Sequence, residues 1–179
     1  AVVTGAGRGL GRAEALELAR HGASVVVNDL GLSRDGSGSD DQPADSTVAE
    51  IVQQGGNAVA HFGDIADWEQ SKELVNTAVD KFGSLDILVN NAGFIQDSMM
   101  QKMTEEQFDS VVRVHLKGHF CMTRHTMAHW REVWKLGDEK PLGGRIINTS
   151  SEAALIGALG TGNYSAAKAG IIALTLSAA

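Results

Sequence analysis

The sequence predicts an α/β protein built on a parallel, doubly wound sheet. Three observations predict it. Five short apolar runs alternate with helical patterns along the 179 residues. The first run meets a glycine-rich turn, TGAGRGLG at 4–11, that opens directly into a helix. The fourth run, 85–89, is nearly all apolar, as a strand covered on both faces should be.

Residues 1–4 (AVVT) form the first strand. Gly5 permits the turn, Gly9 lets a backbone approach closely, and Gly11 lets the helix pack near the strand. The helix runs through Ala13, Leu16, Leu18 and Ala19 and ends at His21-Gly22, with Gly22 suited to the left-handed position past the end. Free N–H groups at such a helix start, aided by its dipole, suit a pyrophosphate. A plain turn is the alternative. Ser24–Asn28 (SVVVN) is the second strand, and Asp29 follows it. A carboxylate there accepts hydrogen bonds from adenosine ribose hydroxyls and repels a 2′-phosphate, favouring NAD over NADP. A turn or cap role is the alternative, and Arg34 points toward a 2′-phosphate. Residues 31–46 are polar and rich in Gly and Ser, a long loop that either closes over the adenosine or is a neutral insertion. Residues 43–54 read as helix, ending at Gly55-Gly56.

Asn57–His61 is the third strand. Asp64-Ile65 follow, where a carboxylate can take an adenine amino group. Residues 67–82 form an amphipathic helix with Asp67 as N-cap and Gly83 as stop. The fourth strand runs into Asn90-Asn91-Ala92-Gly93, whose small and amide residues allow a tight turn beside a cofactor, or a purely structural one. Thr104 opens one long helix to about Trp134, with Glu106 and Gln107 near the capping-box position. It carries His115, His119, His125 and His129 as two i, i+4 pairs. Neither pair has an adjacent acidic residue or a third-ligand pattern, so no metal is expected. Residues 136–144 read as a loop, 145–149 as the fifth strand and 161–179 as a final helix.

The chemistry concentrates in Ser151 to Lys168. Tyr164 and Lys168 are four apart, on one face of the final helix. An ammonium one turn away favours the phenolate form of a tyrosine. Ser151 follows the fifth strand, at the carboxyl edge where α/β proteins place ligands. The trio suggests proton transfer at an oxygen, coupled to an event at the adjacent carbon. A solvated helix face is the bland alternative.

Size suggests one domain over 1–179. The formal net charge of −7 argues against nucleic acid or an anionic membrane as partner. Cys121 is the only cysteine, and no apolar run approaches the ~18 residues of a membrane span. No basic leader opens the chain, so a cytoplasmic protein is expected. Residue 1 is inside a strand and is not Met, and the last residues are mid-helix. The natural chain is expected to extend past both ends, mostly at the C-terminus.

TGAGRGLG (4–11), Asp64-Ile65, NNAG (90–93) and Ser151 with Tyr164-Ser-Ala-Ala-Lys168 resemble, in that order and spacing, the short-chain dehydrogenase/reductase family. The match covers essentially the whole chain. It implies a Rossmann fold, a nicotinamide dinucleotide and a small-molecule alcohol or ketone substrate. Tyr164 would be the general acid/base. Lys168 would lower its pKa and hold the nicotinamide ribose, and Ser151 would orient the substrate oxygen. Gly5, Arg8, Gly9, Leu10 and Gly11 would form the pyrophosphate turn, and Asp29 would select NAD. Asp64, Ile65, Asn91, Ala92 and Gly93 would line the adenine and ribose sites. The resemblance also implies a homo-oligomer, a tetramer paired through the two long helices, and a domain continuing past residue 179.

One departure concerns the long helix, where the family pattern resembles V-N-L-K-G and this chain has Val114-His115-Leu116-Lys117-Gly118. That Asn holds a water in a proton relay. Here His115 takes its place through ring or carbonyl, or the relay differs. VVVNDLG (25–31), RVHLKG (113–118) and RIINTSS (145–151) resemble the branch containing the dehydrogenase unit of the peroxisomal multifunctional β-oxidation enzyme. That unit oxidises 3-hydroxyacyl-CoA thioesters with NAD. The expectation is an NAD-dependent oxidoreductase acting on a secondary alcohol or ketone, such as a 3-hydroxyacyl thioester or hydroxysteroid. The alternatives are an NADPH-dependent 3-ketoacyl reductase and a dinucleotide-binding regulator without turnover.

Overall fold

Five parallel strands form one sheet in the order β3-β2-β1-β4-β5. They are β1 Val2–Thr4, β2 Ser24–Asn28, β3 Asn57–His61, β4 Ile87–Asn90 and β5 Arg145–Asn148. The computed structural model describes residues 1–31, 42–137 and 143–179. Arg34, most of the 31–46 loop and most of the 136–144 loop lie outside the described residues.

Seven α-helices are described: α1 Gly9–Arg20, α2 Gln42–Gln53, α3 Trp68–Phe82, α4 Glu105–Val112, α5 Gly118–Lys135, α6 Ala153–Ile156 and α7 Gly162–Ala178. The alternation of side chains along each strand divides the core in two. Val3, Val25, Val27 and Val89 pack with Ala15 of α1 and Ile51 of α2. Val2, Val26 and Leu88 pack on the other face with Leu74 and Val75 of α3 and Met122 of α5. This is the two-sided burial that the apolar runs predict, and the sheet is a Rossmann-type parallel sheet.

From β1 the chain steps outward through β2 and β3, then returns to pair β4 on the other side of β1. This reversal opens a crevice at the carboxyl ends of β1 and β4, the switch point where such sheets hold ligands. Register pairs Thr4 with Asn28 and Asn90 with Asn148, so four polar residues end their strands along that edge.

Several local signals act as read. Asp67 caps α3, its Oδ1 accepting from Glu69 N at 3.0 Å and Gln70 N at 2.9 Å. Gly83 closes the same helix at φ +81°. Asp67→Ala should lower stability by about 1 kcal/mol in urea unfolding, with Asp67→Asn costing less. An unchanged midpoint would show that the cap is replaced by solvent. Thr104 and Gln107 form a reciprocal capping box on α4.

Helix α2, Gln42–Gln53, matches the helix expected over 43–54 within one residue at each end and overlaps the end of the loop expected over 31–46. The structure differs from the sequence reading at three places. The long helix is not uniform: a π-helical turn, Arg113–Lys117, joins α4 to α5. Such a turn inserts an extra residue and re-aims the side chains around it. Met100–Lys102 forms a 3-10 turn, and α6 is a short helix before α7. Ser98 N donates to Gly160 O at 2.9 Å, tying the segment after β4 to the start of α7.

Candidate active site

The glycine turn fits between β1 and α1 because Gly5 and Gly9 take φ of +62° and +56°. A Cβ on Gly5 would stand 2.7 Å from Ala92 Cα. A Cβ on Gly11 would run into the Asn91 amide and the Gly5 carbonyl. Arg8, the N-cap of α1, makes no side-chain cap, so the first N–H groups of the helix are not satisfied by it.

A cavity of about 300 Å³ opens over this turn. Of the expected binding residues, Gly5, Arg8, Gly9, Asp29, Asp64, Ile65, Ala92 and Gly93 line it. Leu10, Gly11, Asn91, Tyr164 and Lys168 are not in its wall. Leu10 is exposed on α1. Asn91 braces the turn instead: its Nδ2 donates to Thr4 O at 3.0 Å and Gly5 O at 3.2 Å. Thr4, which sequence reasoning passed over, accepts from both Asn91 N and Ala92 N through its Oγ1. Asn28, Phe94 and Val114 also line the cavity. Their only signal in the sequence is adjacency to motif residues.

The two carboxylates on the wall are anchored. Asp29 accepts from Gly7 N at 2.9 Å and from Gly31 N at 2.8 Å. It therefore supports the turn as well as facing the cavity. Asp64 accepts from Ala66 N at 2.8 Å and from Arg113 at 2.6 Å.

The other end of the site is built on α7. Lys168 is buried, and its Nζ donates to Thr149 O at 2.6 Å. Its own carbonyl accepts from Ser150 Oγ at 3.0 Å, so the end of β5 grips α7 at this residue twice. Burial lowers its pKa from 10.5 to about 8. One turn earlier, the ring centre of Tyr164 lies 5.5 Å from that ammonium. The ring of His115 meets Tyr164 edge to face at 5.2 Å.

The π-helical turn buries His115 against Gly93 and Phe94. A Cβ on Gly93 would collide with the His115 ring, nearest its Cε1. Burial, then the Lys168 charge, holds the imidazole pKa down at about 4, so the ring is neutral at pH 7. Its Nε2 lies 2.8 Å from Phe94 O. Donation there, assigned on the shorter of two contacts to Phe94, leaves Nδ1 as a bare nitrogen with no partner among the described residues.

The structure thus brings Tyr164, Lys168 and His115 together. Ser151 sits half-buried past the end of β5, and its Oγ accepts from Ala153 N at 3.2 Å. Asn163 is a positioning residue that sequence reasoning missed. Fully buried, it donates to Gln96 O at 3.0 Å and Gln107 O at 2.8 Å, and its Oδ1 accepts from Tyr164 N at 2.8 Å. It pins α7 to α4 and to the segment after β4 immediately before the tyrosine. Among the described residues, no group of three His, Cys, Asp or Glu could hold a metal ion, and no helix is long and apolar enough to cross a membrane.

Known proteins resemble this chain in sequence and fold. The chain is 51% identical over 179 residues to "Hydroxyacyl-CoA dehydrogenase ChsB1" of Mycobacterium tuberculosis, covering 100% of this chain and 55% of that protein. It is 45% identical over 173 residues to "Peroxisomal multifunctional enzyme type 2" of Mus musculus, covering 97% of this chain and 22% of that one. A crystal structure of a short chain dehydrogenase from Mycobacterium avium superimposes with a TM-score of 0.91 at 55% identity, over 99% of this chain and 61% of that chain. The chain therefore spans only part of the length of these proteins, from 22% to 61%. The model of the family described as short chain dehydrogenase matches residues 1–179, and the chain belongs to that family.

Proposed function

We propose that this chain is the dinucleotide-binding and catalytic part of an NAD-dependent oxidoreductase acting on a secondary alcohol or its ketone, with a 3-hydroxyacyl thioester as the favoured substrate class. The observation that carries the reading is Tyr164, whose ring meets both the Lys168 ammonium and the neutral His115 ring. His115 in turn packs on Gly93 and Phe94, which line the cavity over the glycine turn.

The residues present fit a dinucleotide. Two positive-φ glycines and a helix start without a side-chain cap suit a pyrophosphate. The Asp29 carboxylate suits a ribose with free hydroxyls and disfavours a 2′-phosphate. When bound, the dinucleotide supplies the carbon that takes or gives the hydride. In the oxidation, the Tyr164 phenolate takes the alcohol proton and becomes the phenol; in the reduction the phenol returns it. Lys168 places a positive charge 5.5 Å from the centre of the Tyr164 ring below about pH 8. Ser151 holds the substrate oxygen. His115 keeps the tyrosine ring in place and offers a bare Nδ1 on the buried side. The name of the Mycobacterium tuberculosis relative supports the thioester class.

The test is an activity screen of the full-length protein with NAD and NADP over 3-hydroxyacyl thioesters, hydroxysteroids and simple secondary alcohols. NAD-linked oxidation of a 3-hydroxyacyl thioester is expected to give the highest kcat/KM. A clear preference for NADP overturns the role given to Asp29. Tight NADH binding with no turnover on any substrate overturns the catalytic reading.

A further inference from the structure

Asp64 stands on the cavity wall in the connection between β3 and α3, and the ion pair it makes joins that loop to a distant element. Arg113 Nη2 donates to its Oδ2 at 2.6 Å from the first residue of the π-helical turn. The backbone on Ala66 anchors the other oxygen at 2.8 Å. Just past the turn, the loop also meets Gly118 of α5, where a Cβ would stand 2.6 Å from Ile65 Cδ1. Ile65 and Val114, the neighbours of the two charged residues, line the same cavity. One stretch of wall is thus made from two segments and joined by one charge-assisted hydrogen bond.

A carboxylate only accepts, and each of its oxygens keeps a further lone pair after one bond. Held by two anchors, Asp64 presents a fixed acceptor to whatever base occupies that wall. A 6-amino purine donates to it. A 6-oxo purine brings a second acceptor and is repelled.

We propose that Arg113 is a positioning residue for base recognition: it sets the Asp64 carboxylate so that the cavity takes a purine bearing a 6-amino group and rejects a 6-oxo purine. This rests on the dinucleotide reading above. The pair is partly solvated, with side-chain exposures of 46% for Arg113 and 20% for Asp64, so removing it leaves the fold standing.

The experiment measures dissociation constants of NAD, of its hypoxanthine analogue and of nicotinamide mononucleotide by calorimetry on the full-length protein. The variants are Arg113→Met, Arg113→Lys and Asp64→Asn, each checked by its melting temperature. The wild type should prefer NAD over the hypoxanthine analogue by at least about tenfold. Arg113→Met should lose most of that preference through weaker NAD binding, with nicotinamide mononucleotide unaffected. Arg113→Lys should restore part of it, and Asp64→Asn should abolish it. A wild-type preference retained in Arg113→Met, or no preference in the wild type, overturns the proposal. A wild type that binds neither dinucleotide overturns the dinucleotide reading itself, a result distinct from lost discrimination.

Discussion

Tyr164→Phe is expected to lower kcat of the full-length protein by about a thousandfold while leaving dinucleotide affinity nearly unchanged. The substitution removes one oxygen and little else. The ring stays against His115 and beneath the Lys168 charge, and Asn163 still fixes the backbone at this position. Stability should therefore hold, and the loss should appear in kcat rather than in KM. Turnover within a few-fold of the wild type would remove the phenol from the chemistry.

Lys168→Met should act in two opposite directions. Activity should fall at least as far as in the tyrosine variant, because the charge beside the phenol is lost. Stability at pH 7 should rise. The pKa of Lys168 is lowered from 10.5 to about 8 by burial. Between those values the unfolded chain binds more protons than the folded one, so wild-type stability climbs as pH rises from about 8 to 10.5. Below pH 8 the buried ammonium costs its full amount, on the order of 3 kcal/mol. Methionine of similar length carries no such cost, although Thr149 O loses its donor. Urea midpoints from pH 7 to 10 decide it. The wild type should gain stability across that range relative to Lys168→Met. Parallel curves would mean that the ammonium is solvated.

Much of the fold was legible because its signals are local and periodic. The valines of β1 and β2 alternate between two cores, and Asp67, Gly83 and Thr104 mark helix ends by their own backbone chemistry. The cavity end of the site was legible for the same reason: glycines at positive φ announce themselves. What was not legible depends on contacts between distant segments. A 3.6-residue pattern runs through 104–134 without showing the inserted residue at Arg113–Lys117. Yet that turn aims His115 at Phe94 and Arg113 at Asp64. Asn91 was read as a cofactor-side residue and Asn163 was given no role, and both proved to be braces between segments. Asp29 was read as a ribose acceptor or a turn residue and Asp64 as an adenine acceptor, and the backbone or Arg113 already engages their oxygens.

The contact of Gly93 with the His115 ring limits how this protein can diverge. The imidazole occupies the volume that any side chain at 93 would need. The two positions therefore share a fixed allotment of space. A bulkier residue at one is admissible only with a slimmer residue at the other, so neither can drift alone without disturbing the wall on which the tyrosine ring rests.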